Sequence, residues 1–205
     1  MKTYAFIDAS NLFYGGQKSL GWSIDYHKLA KYLKRKYKVA KIFYFGGIDL
    51  YGYKYDYLKN NSIPLDDVSN YIQKYLTGNK RLSSSEKDLL QKYLGRISFY
   101  KKLESFGFEL FLKPVKVYKQ SSGSIQKKAN CDVEMAFYLM KEIRKYNKVV
   151  VLSGDGDFLP VLKYLREKNK KVVILARGSR TAREIRQFAG SDFRDFVRLK
   201  KELKF

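Results

Sequence analysis

Acidic side chains follow two predominantly apolar runs of this sequence, the second of which is rich in β-branched residues. Asp8 follows the run Thr3–Ile7, and both Asp155 and Asp157 follow the run Val149–Leu152. In an open parallel sheet, ligands bind in the crevice beyond the carboxyl ends of the strands. The sequence therefore predicts that these carboxylates meet at one edge of a sheet, where they could act together on a ligand.

Asp132 is a fourth candidate, because it begins a predicted helix that follows the basic segment Lys119–Lys128. Carboxylates that crowd together raise one another's pKa unless a cation neutralises them. Hard oxygen ligands select Mg²⁺ or Mn²⁺, and such ions bind a phosphate oxygen, activate water and stabilise a leaving oxygen. The predicted catalytic and metal-binding residues are Asp8, Asp132, Asp155 and Asp157.

Three of these acids also have a structural interpretation. Asp8 is positioned to cap the turn that follows it, and Asp132 to interact with the dipole of its own helix. Asp157 directly precedes a predicted helix that begins at Phe158, where it would serve as the N-cap. Asp155 lies between two glycines that let the backbone approach a ligand, which makes it the best candidate for a metal ligand among the four.

Four polar residues beside these acids are predicted phosphate contacts. Asn11 could orient a phosphate or a metal-bound water, and Ser153 could donate a hydrogen bond to a phosphate. Lys127 and Lys128 immediately precede the acidic helix. Each also has a plain interpretation, because Asn and Ser are common in turns and lysine pairs are usually solvated.

The overall charge points to a polyanionic partner. The chain has 42 Lys and Arg residues against 20 Asp and Glu, which leaves a formal charge of +22 over 205 residues. Many of the 18 tyrosines lie beside lysines and four of them fall in the segment 51–57, a pattern suited to stacking the unpaired bases of RNA. The alternatives are a cationic surface that maintains solubility and tyrosines that serve packing.

Composition also excludes several classes of site. Cys131 is the single cysteine and His27 the single histidine, so one chain can form neither a disulfide nor a Cys/His zinc site. A Ser-His-Asp triad would need His27, which lies on a predicted amphipathic helix. We find no membrane-spanning segment or signal peptide in the sequence, and we expect a cytoplasmic protein. The sequence is also compatible with a homodimer.

Alternating strand and helix patterns predict an α/β fold, with a parallel sheet of about five strands and helices on both faces. We expect one domain over residues 1–205, with a mainly helical insertion at 49–85 and a basic C-terminal segment at 177–205. Residues 119–128 are predicted to form a flexible loop. The helix from Asp132 is expected to reach about residue 145 and to present one apolar face, formed by Val133, Ala136, Phe137, Met140 and Ile143.

Three motifs occur in a recognisable order. They are Phe6-Ile7-Asp8-Ala9-Ser10-Asn11-Leu12, Lys128-Ala129-Asn130-Cys131-Asp132 and Val151-Leu152-Ser153-Gly154-Asp155-Gly156-Asp157-Phe158-Leu159-Pro160-Val161. The chain resembles the NYN family, in the LabA-like (DUF88) branch of the PIN-like nucleases. The resemblance implies a Rossmann-like PIN fold whose acidic pocket binds Mg²⁺ or Mn²⁺ and hydrolyses RNA. It also implies that Asp8, Asp132, Asp155 and Asp157 bind the metal, with Asn11 and Ser153 beside them.

Three functions are compatible with these patterns. The first is a metal-dependent endoribonuclease that acts on single-stranded RNA, and the second is an RNA-binding regulatory module with little or no catalysis. The third is a phosphatase of the haloacid-dehalogenase type. That chemistry needs a nucleophilic Asp-x-Asp after the first strand, whereas Asp8 is followed by Ala9-Ser10.

Overall fold

A computed structural model describes residues 2–56, 58–119 and 125–205, and only the backbone of residues 15–17, 117–119 and 125–128. Two sheets occur in the described part, one of six strands and one of two strands. In chain order the strands are β1 (Thr3–Asp8), β2 (Val39–Ile48), β3 (Phe108–Pro114), β4 (Lys116–Lys119), β5 (Ile125–Lys128), β6 (Lys148–Leu152), β7 (Lys171–Ala176) and β8 (Phe193–Asp195).

The large sheet has the strand order β3-β2-β1-β6-β7-β8. Strand β1 pairs in parallel with both β2 and β6, and β7 pairs in parallel with β6 and β8. This confirms the predicted α/β fold with a parallel sheet, which has six strands rather than about five. The additional strand β8 is only three residues long, too short to produce a recognisable pattern in the sequence.

Strand β1 is central and wholly buried, as expected for a strand with neighbours on both sides. Its register aligns Ile7 with Leu152 of β6 and Asp8 with Phe45 of β2. The chain therefore leaves β1 and β6 at nearly the same level. This register brings the segments after Asp8 and after Leu152 to the same edge of the sheet.

Seven α-helices are described. They are α1 (Tyr26–Tyr37), α2 (Leu65–Gly78), α3 (Ser84–Ser105), α4 (Asp132–Lys141), α5 (Leu159–Glu167), α6 (Arg183–Ala189) and α7 (Lys200–Leu203). The N-terminus of α1 is capped by Asp25, whose side chain accepts a hydrogen bond from the Lys28 N–H at 2.9 Å. Within the described residues, no helix has the length and apolar character needed to cross a bilayer.

The described residues divide into two compact units. The first contains residues up to Phe45, Phe106–Glu109 and Cys131–Phe205, and the second contains Gly46–Ser105 and Leu110–Asn130. The predicted insertion at 49–85 lies within the second unit, which includes α2 and α3.

The segment 119–128, expected to be a flexible loop, contains a strand. The backbone of β5 pairs antiparallel with β4, so that Lys116 lies opposite Lys128. Residues 120–124 lie outside the described part of the chain. The polar and basic side chains at these positions favour a loop. Two short antiparallel strands are nevertheless paired by backbone hydrogen bonds, which side-chain composition does not reveal.

Helix α4 is shorter than predicted and buries a different face. It ends at Lys141, and its buried residues are Met135 and Leu139. The side chains of Val133 and Phe137, which belong to the predicted apolar face, are 74% and 56% exposed. Apolar residues occupy more than one face of this helix, so its sequence spacing could not identify the buried one.

Candidate active site

The Asp8 carboxylate lies at the end of β1 and is only 7% exposed. Its Oδ1 accepts hydrogen bonds from the Ser10 hydroxyl and the Asn11 N–H, both at 3.0 Å. Its Oδ2 accepts a bond from the Ser153 hydroxyl at 3.1 Å. A carboxylate oxygen has two lone pairs, so Oδ2 keeps one position for a further partner.

Burial raises the pKa of the Asp8 carboxyl above its ordinary value. Hydrogen bonds from the Asn11 N–H and from the Ser10 and Ser153 hydroxyls lower this pKa and offset part of the effect. The negative charge is therefore held at a cost in free energy. A positive charge placed beside Oδ2 would remove that cost.

Two side chains join the segment after β1 to the segment after β6. The Ser153 hydroxyl donates to Asp8 and accepts from the Asp155 N–H at 3.2 Å, while the Asn11 Oδ1 accepts from the Gly154 N–H at 3.0 Å. Ser153 is 2% exposed, and its single proton is committed to Asp8. In this arrangement Ser153 positions Asp8 and Asp155, and the remaining Asn11 amide group can donate to a ligand.

The capping role expected of Asp157 belongs to Asp155. The Asp155 Oδ1 accepts a hydrogen bond from the Asp157 N–H at 3.0 Å and caps a 3₁₀ turn over Gly156–Phe158 that precedes α5. The Asp157 side chain is exposed. The prediction placed the cap next to Phe158, whereas the 3₁₀ turn moves the helical start, and with it the cap, two residues earlier.

Glycines allow this loop to lie against the segment that follows β7. A Cβ on Gly154 would lie 2.5 Å from the Thr181 Oγ1 and 2.9 Å from the Thr181 Cα, and one on Gly156 would collide with the Glu184 carboxylate. The Ala182 N–H also donates to the Gly154 carbonyl at 2.9 Å. Both glycines are therefore explained by close packing within the protein.

Asp132 is half-buried in the first turn of α4, which contacts both β1 and the turn Gly156–Phe158. The fold thus brings the helix that carries Asp132 to the two elements that carry Asp8 and Asp155. The side chains of Lys127 and Lys128 lie outside the described part of the structure, so their predicted phosphate contacts remain predictions.

The donor chemistry of Asp8 and Asp155 fits a hard divalent cation, but the described side chains do not form a complete protein cage. Among these residues, no group of three or more His, Cys, Asp or Glu side chains is arranged to hold a metal ion. Mg²⁺ commonly takes only one or two carboxylates and completes its octahedron with waters and substrate phosphates.

The tyrosines at 51–57 pack against other rings of the second unit. The Tyr51 ring lies 5.3 Å from that of Tyr75, and the Tyr53 ring lies 5.7 Å from that of Tyr71. Tyr57 lies outside the described residues. These contacts favour the packing interpretation for Tyr51 and Tyr53 over base stacking.

Sequence reasoning missed two residues of this region. Ser10 donates to Asp8, and the Thr181 hydroxyl donates to the Arg177 carbonyl at 2.8 Å beside the Gly154 backbone. The Asp-x-Ser spacing at residue 8 was a usable signal for the first, because Asp side chains often bond to residues two positions later. Thr181 carries no such local signal.

The profile of the NYN domain matches residues 80–197, more than half of the chain. The chain belongs to the NYN domain family. The matched range contains Asp132 and Asp155, whereas Asp8 and Asn11 precede it. Membership is thus established by the segment that carries the second half of the site.

This NYN domain has further relatives over most of its length. It is 24% identical over 199 residues to the low amplitude and bright protein LabA of Synechococcus elongatus, covering 94% of this chain and 85% of LabA. Its fold resembles a crystal structure of a protein of unknown function from Vibrio parahaemolyticus, with a TM-score of 0.58, 17% identity, and coverage of 91% and 87% of the two chains. A weaker similarity, with a TM-score of 0.44, 14% identity and coverage of 91% and 59%, is to the T5 D15 protein co-crystallised with metal ions.

Proposed function

We propose that this NYN domain is a metal-dependent ribonuclease that hydrolyses phosphodiester bonds of single-stranded RNA. The observation that carries the proposal is the buried Asp8 carboxylate, tied through Ser153 to the Asp155 segment at the C-terminal edge of a parallel sheet. That edge is where ligands bind in open α/β sheets. A carboxyl at such an edge whose ionised form is disfavoured by burial is typical of a functional site.

The charge of the chain supports a polyanionic substrate. Acidic groups at the sheet edge belong to a protein whose formal charge is +22. Lysines and arginines attract a phosphate backbone, whereas the acids at the sheet edge repel it unless a cation lies between them. The combination of a cationic surface and a local acidic site therefore favours a phosphodiester bound together with a divalent cation.

Asp8 and Asp155 would hold Mg²⁺ or Mn²⁺, with Asp132 and Asp157 as further proposed ligands from the neighbouring α4 and the 3₁₀ turn. When bound, such an ion supplies an activated water at neutral pH and stabilises charge on the phosphate oxygens. The protein contributes orientation: Ser10 and the Asn11 N–H fix the Asp8 carboxylate through its Oδ1, which leaves a lone pair of Oδ2 for the ion.

The decisive experiment is cleavage of a labelled single-stranded RNA by the wild-type protein and by Asp155→Asn, with Mg²⁺, Mn²⁺ or EDTA. Asparagine keeps the side-chain oxygen that accepts the Asp157 N–H, so this substitution removes the charge and preserves the cap. We expect at least about a hundredfold loss of activity. Asp88→Asn, which changes an exposed carboxylate on α3, is the matched control and should retain full activity.

Persistent cleavage in EDTA, or equal activity of Asp155→Asn and Asp88→Asn, would contradict the metal-dependent mechanism. Duplex RNA and single-stranded DNA of the same sequence define the substrate, and slower cleavage of both is expected. Full cleavage of the DNA would contradict the assignment to RNA. Hydrolysis of a small phosphomonoester that depends on Asp8 would instead favour a phosphatase.

The second candidate is an RNA-binding module with little turnover, and one observation favours it. Within the described part of the chain, no three metal-ligating side chains are arranged around one ion. RNA binding that weakens steeply with salt, without cleavage in Mg²⁺ or Mn²⁺, would establish this alternative.

A further inference from the structure

A cavity of the first unit lies beyond the ends of β7 and β8. It has a volume of about 760 Å³, which is within the range of nucleotide and other small-ligand sites. Its walls come from the segment after β7, from α6 and its C-terminal end, and from β8 and the turn that follows. The lining residues are Arg177, Gly178, Ser179, Arg186, Gly190, Phe193, Arg194, Asp195, Arg198 and Leu199. We call this the arginine pocket.

The arginine pocket carries a large excess of positive charge. Four guanidinium groups face one carboxylate, that of Asp195. Both carboxylate oxygens of Asp195 already have partners. Its Oδ1 accepts a hydrogen bond from the Val197 N–H at 3.0 Å, and its Oδ2 lies 3.5 Å from an Nη of Arg177. The acid cannot neutralise the remaining arginines, so the pocket has a net affinity for anions.

Several of these guanidinium groups have N–H donors that a ligand could accept from. The Nε of Arg177 is buried and has no hydrogen-bond partner among the described residues, although the side chain as a whole is 22% exposed. Arg186 and Arg198 are exposed and form no ion pair within the described part of the chain. An anion with several oxygen atoms would satisfy donors from more than one guanidinium group, as phosphate does in paired contacts with arginine.

The pocket wall is held in place by internal contacts. The Arg194 Nη1 donates to the Ser191 and Phe193 carbonyls at 2.7 and 2.8 Å. A Cβ on Gly178 would lie 2.5 Å from the Asp195 Oδ2, so a glycine is needed where this carboxylate approaches the backbone. These contacts distinguish the pocket from a set of freely moving surface cations.

The arginine pocket is physically connected to the edge of the sheet formed by the segments that carry Asp8 and Asp155, which we call the acidic edge. The Thr181 hydroxyl bonds the Arg177 carbonyl, and the next residue, Ala182, donates to the Gly154 carbonyl. The strands β1, β6, β7 and β8 are successive neighbours in the sheet. Asp8 and Asp195 end β1 and β8, and Asp155 and Arg177 follow β6 and β7. With strands about 4.8 Å apart, the pocket begins within one or two strand spacings of the acids.

We propose that the arginine pocket binds a phosphate group of the RNA strand whose scissile bond lies at the acidic edge. This inference rests on the proposed function for the identity of the strand. Arg177, Arg186 and Arg198 hold the phosphate, and the ring of Phe193 offers a face to the adjoining base. The pocket thereby sets the distance between an anchored phosphate and the bond that is cut.

Another basic groove of the same unit provides a matched control. It lies between α1 and α7 and is lined by Lys28, Lys31, Tyr32, Lys34, Arg35 and Glu202. Two of its lysines bond backbone carbonyls, Lys28 that of Lys204 and Lys34 that of Phe106. Lys31 and Arg35 are exposed, so their substitution removes the same charge at a different place.

The test measures the dissociation constant of a fluorescent single-stranded RNA in EDTA, where no metal-dependent cleavage occurs. We compare the wild type, Arg186→Gln/Arg198→Gln and Lys31→Gln/Arg35→Gln over a range of salt concentrations. The pocket variant should bind about tenfold more weakly, since its charge-assisted hydrogen bonds are removed. The slope of log K against log salt should become shallower by about 0.7 for each phosphate that the variant no longer neutralises. The control should change by less than about twofold.

Equal weakening in the two double variants would overturn the inference, because general surface charge would then explain the binding. It would also be overturned if adenosine monophosphate bound the wild type through Arg186 and Arg198 while RNA affinity did not depend on them. If the pocket variant binds RNA more weakly but the wild type never cleaves RNA with Mg²⁺ or Mn²⁺, the proposed nuclease fails and the phosphate site stands. Thermal unfolding of each variant confirms that it is folded.

Discussion

The acidic edge and the arginine pocket lie beyond neighbouring strands of one sheet, yet their side chains are satisfied in opposite ways. At the acidic edge, Asp8 accepts hydrogen bonds from Ser10, Asn11 and Ser153, and the bond from Ser153 joins the segment after β1 to the segment after β6. In the arginine pocket, the buried Nε of Arg177 has no partner among the described residues. The first region is organised by internal hydrogen bonds, whereas the second leaves donors to be satisfied by a ligand.

This difference indicates separate tasks. A network of short polar side chains fixes the position of a carboxylate, as chemistry at a phosphorus atom requires. Long guanidinium side chains around a cavity of about 760 Å³ tolerate variation in the group they bind. We therefore expect substitutions at the acidic edge to change turnover and substitutions in the pocket to change affinity.

The largest expected effect is that of Asp8→Asn on cleavage. Loss of the charge at Oδ2 should reduce the rate by about a hundredfold or more, while RNA affinity in EDTA stays within about twofold of the wild type. Labelled-RNA cleavage and binding assays measure the two quantities. A variant that cleaves normally would remove the acidic edge from the mechanism.

Comparison of the wild type with Asp8→Asn also predicts how the free energy of unfolding depends on pH. A carboxyl whose folded pKa is raised stabilises the fold below its ordinary pKa, and this contribution is lost as pH rises through the folded pKa. The free energy of unfolding of the wild type relative to Asp8→Asn should therefore decrease in EDTA as the pH rises from the ordinary carboxyl pKa of 3.8 through the raised pKa of Asp8. Urea unfolding at several pH values tests this, and a relative stability that increases with pH would show that the Asp8 pKa is lowered.

Gly154→Ala should disturb the junction between the two regions. The new Cβ would lie 2.9 Å from the Thr181 Cα, and a backbone atom cannot move aside as a flexible side chain can. We expect a loss of about 1–3 kcal/mol in the free energy of unfolding, together with weaker cleavage and weaker RNA binding. Gly95→Ala is the control: this exposed glycine of α3 has open space around it and should become more stable by about 0.5–1 kcal/mol.

The smallest expected effect is that of Thr181→Val. Valine preserves the volume but removes the hydroxyl that bonds the Arg177 carbonyl, which should cost about 1 kcal/mol of unfolding free energy. Thr77→Val, which removes an exposed hydroxyl bonded to the Gln73 carbonyl, should change stability by less than about 0.5 kcal/mol. Chemical denaturation compares the two, and equal losses would show that Thr181 has no special part in the junction.

The sheet was largely predictable because its central strands are runs of apolar residues, which in β6 are β-branched. Val149, Val150 and Val151 are fully buried, and their run marks β6 as clearly as Thr3–Ile7 marks β1. The short strand β8 was missed, since three residues provide no periodicity. The antiparallel pairing of β4 and β5 was missed because it rests on backbone hydrogen bonds.

The candidate site was predictable in its residue types and less so in the role of each residue. The ends of β1 and β6 identified Asp8 and Asp155, because parallel pairing places these ends at one edge. Sequence did not show that Asp155 caps the turn, that Asn11 accepts from Gly154, or that Ser153 bridges Asp8 and Asp155. These contacts depend on register between distant segments and not on local patterns.

The pairing of β1 with β6 has a consequence for synthesis of the protein. The Asn11 side chain and the Gly154 N–H that it accepts from are 143 positions apart, and Asp8 and Ser153 are 145 apart. Domains fold from the N-terminus as the ribosome extends the chain, at about 5–20 residues per second. After Asp8 has been made, 145 further residues must therefore be synthesised before its carboxylate can acquire the Ser153 partner. A growing chain that has not reached residue 153 contains no assembled acidic edge, so its own messenger RNA is not exposed to that edge during this part of synthesis.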